Sequence, residues 1–359
     1  MRKLLTELCH PKQWKTIASK DLLSQGYPVY GANGLIGYWC DYNHNSDVLT
    51  IGCRGTCGAL NIIGGKSYIN GNAMCLDELS HDIYIRYLYY YLRWYDLRKI
   101  ITGTTIPQIT IQGLQKVWVD YPSIKKQSEI VYVLDKVNLI IDYYQQQLQK
   151  LDDLVKARFV ELFGDGNHPH IALIDLIIEG AGLSYGIVQP GDDGTGDMGV
   201  LRPVDMVDGK ISTASIKYID RSIGDGFKKT ELYGDELLIT VRGTTGITAL
   251  TDIRFNGMNV TRGIAVVRYD RNKINPVYLN AYLNTDESQR YIQEHTRGAT
   301  LQQINLSDLR VQQIMVPPLA LQEQMAAFIE QTDKSKFVVQ QALDKAQLLF
   351  DSLMQQYFG

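Results

Sequence analysis

Two short loops carry the residue types best suited to gripping a polyanion. Arg54 stands in RGTCG and Arg242 in RGTTG, each after a run of aliphatic and β-branched residues. A guanidinium on a glycine-flanked turn offers two parallel N–H donors, the fork that fits a guanine edge or a phosphate. Thr56, Thr244 and Thr245 add hydroxyls in the same loops. A second pair of elements, GTTIPQI from Gly103 and GATLQQI from Gly298, contains Thr104, Thr105, Gln108, Thr300 and Gln303. Their hydroxyl and amide groups can touch backbone or bases, or cap and pack near the helix that follows. Lys125, Lys126, Arg221, Lys228, Lys229 and Arg297 are phosphate neutralisers on this reading, solvated charge being the competing role.

Other motifs fall short of catalysis. GGKS (Gly64 to Ser67) resembles the end of a phosphate-binding loop, but the pattern requires glycine where Leu60 stands. NPVY (Asn275 to Tyr278) has Val277 where an amino-methyltransferase motif has a second proline, so it reads as a helix start. Asp192, Asp193 and Asp197 lack calcium-loop spacing. The histidines, His10, His44, His81, His168, His170 and His295, form no metal motif. The five cysteines lie in the first quarter without a CxxC pair, which fits a reducing cytosol and no structural zinc. The expectation is a chain with no catalytic residue, no metal and no cofactor of its own.

The net charge of −3 argues against an indiscriminate nucleic-acid coat, though not against a sequence-specific reader. Residues 1–164 carry 18 Lys+Arg against 15 Asp+Glu, residues 165–316 carry 15 against 19, and residues 317–359 carry 3 against 5. If DNA is bound, the affinity must come from local basic faces or from a partner that brings its own. The amino terminus lacks an apolar core of signal-peptide length, and no window approaches a membrane span. A soluble, cytoplasmic protein is expected.

Two long helices must position these loops. From Ser123 the chain reads as helical for some thirty-five residues, about 50 Å at the usual rise, with a seam at Ile130, Leu134, Val137, Ile141, Tyr144, Leu148, Leu151 and Val155. After Pro317 a second helix carries Met325, Ile329, Val339, Leu343, Phe350 and Leu353, with Thr332, Lys336 and Ala346 filling its seam. Strands are expected in GYPVYGANGLIGYW and DVLTIGCRGTCGALNII, and helix over 83–100 and 274–292. The run Tyr87, Tyr89, Tyr90 and Tyr91 reads as core.

The second half restates the first. Gly103 and Gly298, Pro122 and Pro317, Gln127 and Gln322, and Gly164 and Gly359 are all 195 residues apart. About sixty residues align without a gap, which makes the chain a tandem duplication. Helices that follow their globules at the same offset can pair antiparallel by a pseudo-two-fold and hold the globules apart as a dumbbell.

With these marks in order, the chain resembles the DNA specificity subunits of type I restriction-modification systems. The resemblance rests on the doubled GTTIPQI and GATLQQI, PSIKKQ and PPLALQ, RGTCG and RGTTG, on the opening YPVYGANG and on the closing SLMQQYFG. It implies an α+β chain in which two β-rich target-recognition domains, 1–121 and 165–316, are separated by two long antiparallel coiled-coil spacer helices, 122–164 and 317–359. Each domain is then expected to read one half of a bipartite double-stranded DNA site, with the helices setting the unread spacer. Two methyltransferase subunits would dock, and restriction subunits would join the full complex; S-adenosylmethionine and ATP belong to those partners. The alternatives are a specificity subunit of a related fused restriction-methylation enzyme of type IIB kind, and a protein-binding dumbbell that does not touch DNA.

Overall fold

Two helices of 40 residues, Ile124–Phe163 and Leu319–Phe358, dominate the computed structural model, and their first and last residues keep the 195-residue offset. Residues 1–103, 107–164, 166–189, 191, 196–207, 209–299 and 301–359 are described. The chain divides into two units, Met1–Leu148 with Val338–Gly359, and Gln149–Phe337. Each unit thus receives part of both long helices. Among the described residues no helix is long and apolar enough to cross a membrane.

In the first unit Ile130, Leu134, Val137 and Ile141 are buried in one core with Ala346, Phe350, Met354 and Phe358. In the second unit Phe163 and Met325 are buried in a common core, with Val155, Phe159 and Ile329 against it. There Asp152 meets Lys336 at 2.6 Å, and the Arg158 guanidinium lies over the Phe328 ring. Moving forward along one helix moves backward along the other, so within this unit the helices run antiparallel. Lys336, a break in the expected seam, is matched by Asp152; Thr332 turns its hydroxyl onto the Phe328 carbonyl at 2.8 Å.

The seam of the second helix differs from expectation near its end. Met354 and Phe358 are buried, while Leu343 and Leu353 are only partly so. The reason is the neighbour: Phe350 and Phe358 pack against the rings of Tyr87, Tyr90, Tyr91 and Trp94, so this stretch faces a globule as well as a helix. Tyr87, Tyr90 and Tyr91 are core, as their helical spacing suggested. Their helix is Ile85–Tyr95. Its counterpart in the second unit is broken into Pro276–Leu283 and Asp286–His295, because Thr285 caps a new helix by accepting from the Ser288 N–H.

Each unit builds a four-stranded and a three-stranded sheet in matching order. In the first, His10–Gln13, Ala73–Asp77, Val48–Gly52 and Leu60–Ile63 are neighbours in that order; in the second, Ser184–Tyr185, Ile264–Val267, Leu237–Thr240 and Thr248–Leu250. All residues of Val48–Gly52 and of Leu237–Thr240 are buried, as befits strands covered on both faces. The three-stranded sheets are Gly34–Trp39, Tyr27–Gly31, Tyr68–Ile69 and Lys217–Ile219, Met198–Leu201, Asn259–Val260, each with one antiparallel and one parallel pairing. A strand next to the N-terminus, Arg2–Leu4, pairs with Trp118–Asp120, as His170–Ala172 pairs with Gln313–Met315. The offset between equivalents is therefore 168 at Arg2 and His170, 188 at Arg54 and Arg242, and 195 at the helices. The extra residues of the second half enter between conserved anchor points of the duplicated fold.

The tightest repetition lies where globule meets helix. Gln127 is fully buried; its Nε2 donates to the carbonyls of Asp82 (2.8 Å) and Pro122 (2.9 Å), and its Oε1 accepts from the Tyr84 N–H (2.8 Å). Gln322, equally buried, donates to Pro317 (2.7 Å) and Lys273 (3.4 Å) and accepts from the Asn275 N–H (2.8 Å). Tyr87 and Tyr278 likewise donate to the carbonyls of Asp120 and Met315, both at 2.9 Å. Truncating either glutamine leaves buried backbone groups without partners, a loss of about 2 kcal/mol. Gln127→Ala and Gln322→Ala should each lower the denaturation midpoint of the chain, whereas Gln149→Ala, on an exposed helix face, should leave it unchanged.

Candidate nucleic-acid interface

The two arginine loops have one architecture. Each leaves the end of a buried central strand, Val48–Gly52 or Leu237–Thr240, and turns at a glycine of left-handed backbone, Gly55 (φ +75°) or Gly243 (φ +86°). No side chain larger than hydrogen adopts that conformation without strain, so the turn fixes where the preceding arginine emerges. Arg54 is exposed and Arg242 is half-exposed.

Each loop is then stitched to the GxTxxQI element. The Ile109 N–H donates to the Cys53 carbonyl (3.1 Å) and the Ile304 N–H to the Val241 carbonyl (3.0 Å). Arg54 bridges Gln108, and Arg242 bridges Gln303. The second element closes on itself: Thr102 and Gln108 exchange two backbone bonds of 2.9 Å, as Arg297 and Gln303 do at 2.8 Å. Motifs 54 residues apart in one unit (Arg54 to Gln108) and 61 in the other (Arg242 to Gln303) therefore form one surface in each. Gln108 and Gln303 are half-buried, and their backbone does the joining. Thr104, Thr105 and Thr300 lie outside the described residues.

The cations differ in what they already hold. Among the described residues neither Arg54 nor Arg242 has an acidic or hydrogen-bonding partner for its guanidinium. Arg221 is 3.2 Å from Asp197, Lys126 is 3.1 Å from Glu129, and Arg297 is 3.7 Å from Asp308. Lys125 is exposed in the first turn of the first long helix, and Lys228 and Lys229 are exposed on the turn Asp225–Thr230; no hydrogen bond or ion pair joins any of them to the arginine loops. Thr56 and Thr244 are exposed, while Thr245 is bonded to the Thr296 hydroxyl at 3.0 Å and is spent inside the fold. Asp192 and Asp193 lie outside the described residues.

Arg262 is a residue that sequence reasoning missed. Thr240 and Ile264 are paired at one end of the four-stranded sheet, and the Val241 N–H donates to the Gly263 carbonyl at 2.8 Å. Arg242 and Arg262 thus leave the same sheet end from adjacent strands, and Arg262 is exposed with no side-chain partner among the described residues. In the first unit Asn72 fills the place of Gly263, accepting from Cys53 and Arg54, so Gly71 stands where Arg262 does. The signal was the TRG turn between two buried strands, readable only once the strands were known to be neighbours. At the same loop, burial pushes the Cys53 thiol above its ordinary value, with Gln13 and then Arg54 pulling it back.

Residues 2–153 and 197–345 match the type I restriction modification DNA specificity domain. The chain is 21% identical over 371 residues to the type I restriction enzyme EcoBI specificity subunit of Escherichia coli, covering 94% of this chain and 75% of that protein. It is 22% identical over 348 residues to a putative type I restriction enzyme specificity subunit of Haemophilus influenzae, covering 88% and 82%. Its fold is shared with the S subunit of a type I restriction-modification system from M. genitalium, at a TM-score of 0.64 and 15% identity over 100% of this chain and 96% of that one. A second solved chain, from work on complex assembly and conformational transition of the type I R-M system, gives 0.52 at 13% identity over 100% and 97%.

The division between free and engaged cations orders their effects. Arg54→Ala and Arg242→Ala should each weaken sequence-specific DNA binding by about 1–3 kcal/mol, the range of a lost bidentate base contact. Arg221→Ala and Lys126→Ala should cost less than about 1 kcal/mol and act alike on all sequences. Titration of labelled duplexes at fixed salt checks both.

Proposed function

Since the chain belongs to the type I restriction-modification DNA specificity family, we propose that it is the sequence-reading subunit of such a system, with residues 1–121 and 165–316 as its two target-recognition domains. Each domain reads one half of a bipartite double-stranded DNA site. The helices, residues 122–164 and 317–359, set the distance between the halves and receive two methyltransferase subunits; restriction subunits join the full complex. The chain acts in the cytoplasm and contributes recognition, while methyl transfer and cleavage belong to its partners.

The observation that carries this reading is the doubled arginine loop. Two units of one fold each present on a glycine turn a guanidinium without a partner among the described residues, joined by the same backbone bonds to a GxTxxQI element. Around these anchors the units differ in sequence, with Arg262 in one and Gly71 in the other. Similar frames with unlike contact residues suit two different short half-sites. A net negative chain still binds DNA when local cations meet the phosphate backbone and its partners supply further charge.

The purified chain should transfer no methyl group by itself and should direct modification of a bipartite site when assembled with its methyltransferase. In that assembly Arg54→Ala should relax sequence preference in one half-site and Arg242→Ala in the other. Equal loss at both halves from either substitution, or methyl transfer by the chain alone, would refute the division of labour.

A further inference from the structure

The first unit holds a side-chain cluster remote in chemistry from the arginine loop. Asn43 makes a two-point contact with the Ile69 backbone, its Nδ2 donating to the carbonyl (3.0 Å) and its Oδ1 accepting from the N–H (2.8 Å). That contact fixes which end of the amide is oxygen. The His44 Nδ1, 2.7 Å from this Oδ1, must then be the protonated nitrogen. Its other nitrogen, Nε2, lies 2.9 Å from the Asp77 Oδ1, another acceptor. Two lone pairs that close need a cation between them, either a second ring proton or a metal ion. Cys75 adds a third donor of the kind a metal ion takes.

Cys75 is fully buried two residues before Asp77 on the strand Ala73–Asp77, so its side chain shares a face of the sheet with Asp77. One donor atom each from His44, Cys75 and Asp77 all lie within 4.8 Å of one another. Imidazole nitrogen, thiolate and carboxylate are zinc's ordinary donors, at about 2.0–2.3 Å from the ion. A nitrogen and an oxygen 2.9 Å apart can both sit at that distance from one ion with only small rotations. The second shell is in place as well: Asn43 orients the imidazole, and the Trp14 Nε1 donates to the other oxygen of Asp77 at 3.2 Å. A cavity of about 620 Å³, lined also by His10, Lys12 and Trp14, reaches His44 and Asp77, with Cys75 buried behind them. Opposite His44, Ser67 buries a hydroxyl with no hydrogen-bond partner among the described residues.

We propose that His44, Cys75 and Asp77 form a zinc site, with water completing the coordination. Among the described residues the second unit has no equivalent. Cys75 pairs with Thr50, and the matching pair there is Val266 with Leu238, while Arg268 falls at the place of Asp77. The site is therefore an elaboration of one unit. Its strand continues at its other end into Asn72, whose carbonyl holds the Arg54 loop, so an ion there would brace the frame from which Arg54 emerges. Neither the site nor its test depends on the DNA-reading proposal.

The full chain, stripped with chelator and reconstituted with Zn²⁺ or Co²⁺ alone, provides the test. Wild type should retain one equivalent of zinc per chain after dialysis, and its cobalt form should show a thiolate-to-cobalt charge-transfer band with tetrahedral d–d bands. Cys75→Val, which installs the residue of the second unit, should keep the far-ultraviolet dichroism and abolish the charge-transfer band. His44→Gln should weaken zinc binding at least about tenfold, the scale of even an outer-shell loss. No retained zinc in wild type would mean that a ring proton alone bridges His44 and Asp77. Equal zinc content and an equal thiolate band in wild type and Cys75→Val would assign the metal to other cysteines. Either result overturns the site.

Discussion

The junction between globule and helix depends on one buried amide. Gln127 and Gln322 each satisfy three backbone groups that belong to two segments, the entry to an aromatic helix and the proline that opens a long helix. A backbone N–H or carbonyl buried in that corner has no water to turn to, so the side chain that reaches it fixes the register of the long helix on its globule. Tyr87 and Tyr278 reinforce the corner from the same face by bonding the strand that precedes the helix. With the start of each helix fixed, the apolar positions that follow are committed to particular partners.

The same economy governs charge. Most arginines of the chain are engaged internally: Arg202 with Asp205, Arg254 with Asp252, Arg271 with Asp235, and Arg86 with Asp135. The exposed pairs among them add little stability, but all of them remove their cations from the pool available to a polyanion. Arg54, Arg242 and Arg262 belong to the arginines without acidic partners among the described residues, as do Arg93, Arg290 and Arg310. A chain of net charge −3 can in this way be selective in where it meets DNA.

Much of this was legible in the sequence because it is periodic or repeated. The seam of the first long helix, the 195-residue offset and the tyrosine core follow from spacing, and the pairing of Arg54 with Arg242 follows from the repeated RGTCG and RGTTG. What stayed hidden depends on tertiary neighbours. Phe358 joins the core because an aromatic helix lies against it, which heptad counting on one helix cannot register. Lys336 looked like a flaw until Asp152 stood opposite. Arg262 needed the knowledge that two strands are adjacent, and His44 with Cys75 and Asp77 needed a sheet to bring distant residues together. Local motifs survive translation into structure; juxtapositions across a sheet do not announce themselves in spacing.

The central claim is that two unlike readers of one fold are held at a set separation. Selection of bound duplexes from a randomised library by the chain assembled with its methyltransferase, followed by sequencing, addresses it directly. The account predicts two short specified blocks separated by an unspecified spacer of constant length. A single contiguous block, or two blocks at freely varying separation, would contradict it.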